Sequence, residues 1–426
     1  MTNLRALFVG FVWPEPSSSA AGVRTLSLVR VLQRAGWEIH FISPSPENEH
    51  AAALRALGVH ARTQGPNDPA FDSYVADLKP ELAIFDRFVM EEQFGWRVKE
   101  HSPETLRVLD TIDLHFLRRG REEALKQGVS LEDIFEARLD FRSSELGFGH
   151  EDALREIAAI YRSDLTLILS DFESALLKRD FGMPAELVLD LPFFFRAGDV
   201  RVSAPFEDRV NFVSIGNFRH KPNADSARWL REKLWPQVRA RLPEAEVHLY
   251  GAYPTREMMA LSNPAMGFFV KGQAEDSVAT LQRYRVNLAP LRFGAGIKGK
   301  IADGWLAGTP TVTTPIGAEG MTASAGDSAG VFAGAVARTE DAFVEACVEF
   351  YTRRELWSEA QGRGFEALRA LFDEDRLGSR FLGAIAQARA ELSARRARNF
   401  TGAMLSHHQH RSTKYFSRWI EEKTKR

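Results

Sequence analysis

Short apolar, β-rich runs alternate along this chain with longer amphipathic segments, and the alternation occurs in two successive halves. In the first half the strand candidates are Ala6–Val9, Glu38–Ser43, Leu82–Phe85, Leu106–Leu109, Leu165–Leu169 and Leu187–Leu189. Between the first two, Ala21 to Arg34 carries Val23, Leu26, Val29 and Leu32 at helical spacing, and Gly36 is placed to end the helix. In the second half the candidates are Val210–Ile215, Val247–Tyr250, Phe268–Val270, Val286–Ala289, Thr311–Thr313 and Val331–Phe332. Asn223 to Val238 reads as one helix, with Leu230, Leu234 and Val238 on one side. Alternation of this kind builds βαβ units with parallel strands. Two such arrays predict an α/β protein of two Rossmann-like, doubly wound domains, with ligands at the carboxyl ends of the strands.

A chain of 426 residues is too long for one ordinary core, which agrees with two domains and a tail. The polar stretch Arg196 to Asp208 separates an apolar run, Leu191 to Phe195, from a new strand. The expected division is therefore residues 1–195, a linker at 196–208, residues 209–375 and a helical, basic tail at 376–426. The charged, helical stretch from Leu114 to Glu156 is expected to lie beside the first sheet as an insertion. From Arg395 onward, basic residues interleave with Phe400, Met404, Tyr415, Phe416, Trp419 and Ile420. Two readings compete: a terminal helix docked on the first domain with solvated charges, or weak contact with an anionic membrane surface. His407, His408 and His410 lie together there, but without an acidic or cysteine partner they read as a flexible polar stretch rather than a zinc site.

Composition narrows the function. The net charge of −2 excludes a nucleic-acid-binding polycation. The single cysteine, Cys347, leaves no disulfide framework or cysteine-rich zinc site, and a cytoplasmic, reducing compartment is expected. The opening MTNLRALFVGFVW reads as a first buried strand rather than a signal peptide. No apolar stretch reaches the roughly 20 residues needed to span a bilayer.

The richest segment runs from Asn287 to Met321. A strand-like run enters a loop with Gly294, Gly296 and Gly299, which also carries Lys298 and Lys300, and a short helix and a strand follow. Small residues let backbone N–H groups approach an anion at a helix N-terminus, and lysines add charge. Two solvated lysines at a helix start are the plainer alternative, but they oppose the helix dipole unless an anion is present. The loop satisfies the dinucleotide pattern G-x-G-x-x-G. Three features count against that reading: the loop is not the first βα turn of its domain, it carries two lysines, and Glu319 stands beyond the next strand rather than at its end. No glycine loop ends in Gly-Lys-Ser/Thr, so a Walker-type ATPase is disfavoured.

Phe212 to Pro236 and Ala289 to Met321 together resemble the donor domain of retaining GT-B glycosyltransferases of the group 1, family 4 class. The resemblance extends more weakly to Leu109–Glu122 and Tyr161–Leu177. It implies two facing Rossmann-like domains and a nucleoside-diphosphate sugar donor, with no metal or other cofactor required. It also implies roles by residue. Gly216 would approach the donor closely, and Arg219, Lys221 and Lys298 would meet its diphosphate together with the backbone of Gly294, Gly296 and Ile297. Asp303 falls where the family usually has a ribose-binding glutamate. Ala295 stands where many members place a sugar-binding glutamate, which leaves donor identity open. Asp113 and His115, near the end of a first-domain strand, are the candidate catalytic pair alongside Lys298, although a helix cap and a half-buried histidine explain them equally well. Gly22, in the loop after the first strand, with Arg24 beside it, and Glu319 complete the donor-side candidates. The acceptor and the oligomeric state are not legible. Two rivals are a nucleotide-sugar epimerase of the same fold and a non-catalytic nucleotide-sugar-binding protein.

Overall fold

The computed structural model describes residues 4–142, 148–200, 204–322 and 332–424. Seven parallel strands form the first sheet: β1 (Arg5–Val9), β2 (Glu38–Ser43), β3 (His60–Thr63), β4 (Leu82–Asp86), β5 (Leu106–Asp110), β6 (Leu165–Ile168) and β7 (Val188–Asp190). Their spatial order is β3-β2-β1-β4-β5-β6-β7. Six parallel strands form the second: β8 (Val210–Ile215), β9 (Val247–Tyr250), β10 (Phe268–Gly272), β11 (Tyr284–Ala289), β12 (Thr311–Thr313) and β13 (Gly334–Val336), in the order β10-β9-β8-β11-β12-β13. Each order reverses beside its first strand, between β1 and β4 and between β8 and β11. That reversal opens a crevice at the carboxyl ends, where ligands of such sheets bind.

Most strands lie within a residue or two of their sequence-predicted positions, because parallel strands buried on both faces read as apolar runs. Three elements differ. The edge strand β3, His-Ala-Arg-Thr, has no apolar run and was not foreseen; its residues are exposed or half-buried. The last strand is Gly334–Val336 instead of Val331–Phe332. Phe332 instead packs on Trp305, with ring centroids 5.5 Å apart, and Val331 lies outside the described residues. A Cβ on Gly334 would stand 1.9 Å from the Thr311 carbonyl oxygen, so glycine sets where β13 meets β12. The Asn223–Val238 helix starts earlier, at Lys221, ends at Arg241, and contains a π turn over Leu230–Leu234. Pro236 has no N–H to complete an α-helical ladder, and the Trp235 N–H reaches back to the Leu230 carbonyl.

The stretch from Leu114 to Glu156 is no side insertion: it forms most of the crossover from β5 to β6. Its helices His115–Lys126 and His150–Arg162 pack on each other and contribute Phe116, Leu117 and Ile160 to the first domain's core. The chain crosses between domains at two adjacent points. The Phe195 N–H donates to the Phe372 carbonyl (2.7 Å) and the Glu374 N–H to the Phe195 carbonyl (3.1 Å). After this second crossing, the Glu374–Ala390 helix inserts Leu377, Phe381, Ile385 and Ala388 into the first domain's core. The tail continues along that domain as helices, and its histidine stretch lies in a π turn, Ser406–His410. No helix among the described residues is long and apolar enough to cross a membrane.

Candidate active site

The carboxyl end of β5 leads into the first cluster. Arg24 donates from Nε to both oxygens of Asp110 (2.9 Å each) and from a terminal nitrogen to the Leu191 carbonyl (2.6 Å). Both side chains are buried, so Arg24 braces the strand end rather than facing a ligand. Beyond it, Asp113 meets Arg118 Nε at 2.6 Å and His115 Nε2 at 3.3 Å. Burial opposes ionisation of Asp113, but Arg118 and His115 hold its carboxyl well below the usual range.

Two further buried carboxylates cap this turn. Glu156 accepts the N–H groups of His115 (3.0 Å) and Phe116 (2.8 Å), while burial raises its pKa well above the ordinary value. Glu173 accepts the N–H of Leu114 (2.9 Å) and, across the domain boundary, that of Gly296 (3.0 Å). Burial pushes Glu173 up to about 7, with the Leu114 N–H pulling it back. Neither glutamate was a sequence-level candidate. The only signal for Glu173 was Ser170 three residues earlier, which reads as an ordinary capping box.

The glycine loop after β11 approaches from the second domain. Gly296 has φ of 66°, and a Cβ there would lie 3.0 Å from both the Asp113 Cβ and the Ile112 carbonyl oxygen. The loop thus presses its backbone directly onto the Asp113 turn. Ala295 sits in the first domain's apolar cluster, which accounts for a small residue where a glutamate would have to bury its charge. Ile297 packs under Gly320. Lys298 is buried; its ammonium donates to the Gly296 carbonyl and lies 3.8 Å from Glu319. Burial lowers its pKa and Glu319 opposes the shift. Lys300 donates to Asn223 Oδ1 at 2.7 Å, and burial together with the charge of Lys298 pushes it down to about 7.

Glu319 faces Arg121, which forks onto both its oxygens and also donates to the Gly294 carbonyl. Arg121 was missed at the sequence level because it looks like one of several charges on an amphipathic helix.

The structure thus brings Asp113, His115, Gly294, Gly296, Ile297, Lys298 and Glu319 together, and adds Arg121, Glu156, Glu173 and Lys300. Gly216 joins through Asn223: a Cβ on Gly216 would stand 2.7 Å from the Asn223 amide that holds Lys300. Gly22 lies in the first turn of the Ala20–Arg34 helix, donating to Ser19 Oγ, where a Cβ would strike the Glu15 backbone. Arg219 and Lys221 are placed elsewhere. Arg219 stacks over Tyr253, whose hydroxyl donates to Glu15, and Lys221 pairs with Glu122 at 3.0 Å. Lys221 therefore ties the two domains together at the rim, and Arg219 backs the Tyr253 that does the same. Asp303 lies a turn along the Gly299–Leu306 helix, where burial pushes its carboxyl up to about 6 and the Ser277 hydroxyl pulls it back.

Two helix N-termini converge at this point. A Cβ on Gly299, the first residue of its helix, would lie 2.9 Å from the Cβ of Ala20, the first residue of the Ala20–Arg34 helix. Positive dipole ends, Lys298, Lys300 and Arg121 thus gather at the cleft, offset by Glu173 and Glu319. The chemistry of that set is the neutralisation of a multiply charged anion.

Residues 209–353 match the family model described as glycosyl transferases group 1. Among curated proteins, none matches the chain in sequence. Solved structures share its two-domain GT-B fold. A sucrose-phosphate synthase from Thermosynechococcus elongatus aligns with a TM-score of 0.64 at 14% identity, covering 91% of this chain and 100% of its own. A glycosyltransferase from Rickettsia africae aligns at 0.65 and 9% identity, covering 91% and 99%. The Anabaena protein HepE in complex with UDP and glucose aligns at 0.62 and 10% identity, covering 90% and 100%.

Proposed function

We propose that this chain, whose second domain is a group 1 glycosyltransferase domain, moves a sugar from a nucleoside-diphosphate donor to an acceptor, with retention at the anomeric carbon. The observation that carries this reading is the pair of facing helix N-termini at Ala20 and Gly299, with Lys298 buried and Lys300 half-buried beside them. Unpaired, that concentration of positive charge is costly; a diphosphate relieves it. The sugar–phosphate bond breaks with negative charge growing on the leaving diphosphate and oxocarbenium character on the sugar. Lys298, Lys300 and the backbone N–H of Ile297 stabilise the first, joined by that of Gly296 when Glu173 yields it. Glu319 lies within reach of Lys298 and is suited to a sugar hydroxyl. Asp113 and His115 sit on the first-domain side, where an acceptor enters, and a base toward the acceptor hydroxyl belongs there. Asp303 is assigned to the donor ribose, and Gly22, Gly216, Arg219 and Lys221 to the rim around the donor. The lysines and helix ends carry the neutralising charge, so turnover is expected to survive chelation of divalent metals by EDTA.

HepE was solved with UDP and with UDP-glucose, which favours a uridine donor as the first to try. The reading places the enzyme in the cytoplasm, with its basic tail available to a membrane surface. A thermal-shift screen of nucleoside diphosphates and their sugars tests it, since a ligand bound to the native state raises the melting temperature. Product analysis with the stabilising donor then decides the reaction. A glycoside supports the transferase; a released epimerised sugar alone, or binding without turnover over a broad acceptor panel, overturns it.

A further inference from the structure

The helix that closes the chain leaves an apolar side uncovered. From Phe400 to Thr424 the backbone is continuously helical: Phe400–Leu405, the π turn Ser406–His410, then Arg411–Thr424. The side facing the body carries small or paired groups, namely Gly402, Ser406, Ser417 and Glu421, all buried. A Cβ on Gly402 would stand 2.0 Å from the Tyr161 carbonyl oxygen, so this side lies hard against the His150–Arg162 helix. Ion pairs fix the far end: Arg97 with Glu421, Arg418 with Asp72 (2.9 Å) and Lys414 with Glu100 (2.8 Å).

The other side shows Phe400, Met404, Tyr415, Phe416 and Trp419, exposed by 77, 46, 63, 62 and 56%. Twelve large hydrophobic residues are exposed among the described residues, and five of them are on this one helix, so the clustering is not the ordinary scatter of surface apolar groups. The π turn explains how they share a side. It takes up about one residue more than an α-turn, which rotates Tyr415, Phe416 and Trp419 back into line with Phe400 and Met404. Phe416 stacks on Trp419, with centroids 6.0 Å apart, and the Lys423 ammonium sits 5.0 Å from the Trp419 ring. From Phe400 to the end, six lysines and arginines stand against two glutamates.

We propose that this helix docks the protein on an anionic membrane surface, lying in the plane of the interface with Phe400, Met404, Phe416 and Trp419 among the headgroups. Three observations favour lipid over a second copy of the chain. The exposed stripe is aromatic, with one methionine and no exposed leucine, isoleucine or valine, whereas helices that pair with each other want branched aliphatic residues at heptad spacing. Tyrosine and tryptophan, each apolar with one polar atom, suit the headgroup layer. Lys414 and Arg418 are neutralised by Glu100 and Asp72, but the other four lysines and arginines still outnumber the two glutamates, an excess that repels a second copy and is drawn to anionic lipid. The inference does not depend on the glycosyltransferase reading, because its test requires no turnover.

The test is flotation of the full-length protein with vesicles of equal parts phosphatidylglycerol and phosphatidylcholine, against phosphatidylcholine alone. The wild type is expected to float with the anionic vesicles only, and less at about 0.5 M salt, where surface charge is screened. A Phe416→Ser/Trp419→Ser variant is expected to lose about tenfold or more in partitioning, with an unchanged thermal melt because both side chains are already in solvent. Phe400→Ser/Met404→Ser, at the other end of the stripe, is expected to act in the same direction. The proposal is overturned if the wild type stays in solution, or if both variants float as it does. It is equally overturned if sedimentation shows a dimer that the first variant dissolves while no vesicle binding occurs.

Discussion

Arg121 of the first domain and Glu319 of the second meet across the cleft in a two-pronged ion pair, at 3.0 and 2.5 Å, with side chains 0 and 6% exposed. Such a pair makes domain closure selective. Its two charges are costly to bury apart and acceptable only together. The same junction holds Glu173 under the Gly296 N–H and Lys298 beside Glu319, so the residues of the proposed anion site come together where the two domains meet.

Removing one partner of that pair should cost more than removing both. Arg121→Leu is expected to lower the unfolding free energy by about 3 kcal/mol, by stranding a buried carboxylate. Arg121→Leu/Glu319→Leu should recover most of the loss. Urea denaturation of the two single variants and the double variant gives the coupling; simple additivity would mean that the pair is not formed in solution.

Glu173 should make stability depend on pH. Its folded pKa of about 7 lies above the ordinary 4.5, so the native state holds a proton that the unfolded chain releases between those values. Stability is therefore greatest below about pH 4.5 as far as this group is concerned, and falls as pH rises through 7, by about 3 kcal/mol at most. Glu173→Gln keeps an oxygen for Leu114 and Gly296 and should remove that fall. Denaturation midpoints at several pH values for both proteins check it; parallel curves would rule out a buried, titrating Glu173.

Donor affinity should weaken in mildly alkaline solution. Lys300, at about 7, loses its charge as pH rises, and Glu173 gains a charge that competes for the Gly296 N–H. Both changes disfavour an anion. Calorimetric titration with a stabilising nucleoside diphosphate should show affinity falling above pH 7 by up to about tenfold per pH unit for each of the two groups. Lys300→Met and Glu173→Gln should each flatten the profile, and the double variant should remove it.

Lys298→Ala and Arg219→Ala separate the buried site from its rim. Lys298→Ala is expected to weaken nucleoside-diphosphate binding by about tenfold or more, through loss of a charge held in a dry site. Arg219→Ala, which removes a cation stacked on Tyr253, should cost less than about tenfold. Unchanged affinity in both variants would remove the diphosphate from this loop.

Gly296→Ala should impair turnover more than binding. The added methyl lies 3.0 Å from the Asp113 Cβ and the Ile112 carbonyl oxygen at a φ of 66°, so the loop must back away from the first domain. A shift near 1 Å can cost about a hundredfold in rate. Steady-state kinetics with a working donor and acceptor should show kcat reduced and KM little changed; an unaltered kcat would mean that the observed closure is not the productive one.

What the sequence determined by itself is what local periodicity and loop chemistry encode. Buried parallel strands must be continuously apolar, so eleven of the thirteen were legible as runs, along with the glycine loop and its lysines. The exposed edge strand at His60–Thr63 has no such burden and left no signal. The tertiary structure decided which charges are paired, because pairing across 123 to 198 residues depends on how the two sheets face each other. Glu173, Arg121 and Glu156 look like surface charges on amphipathic helices until the second domain or the neighbouring helix covers them. Arg219 and Lys221 read from the sequence as donor ligands, and only the structure shows Tyr253 and Glu122 as their partners at the rim. A charge takes its role from what surrounds it, and for this chain the surroundings are supplied by residues far away in sequence.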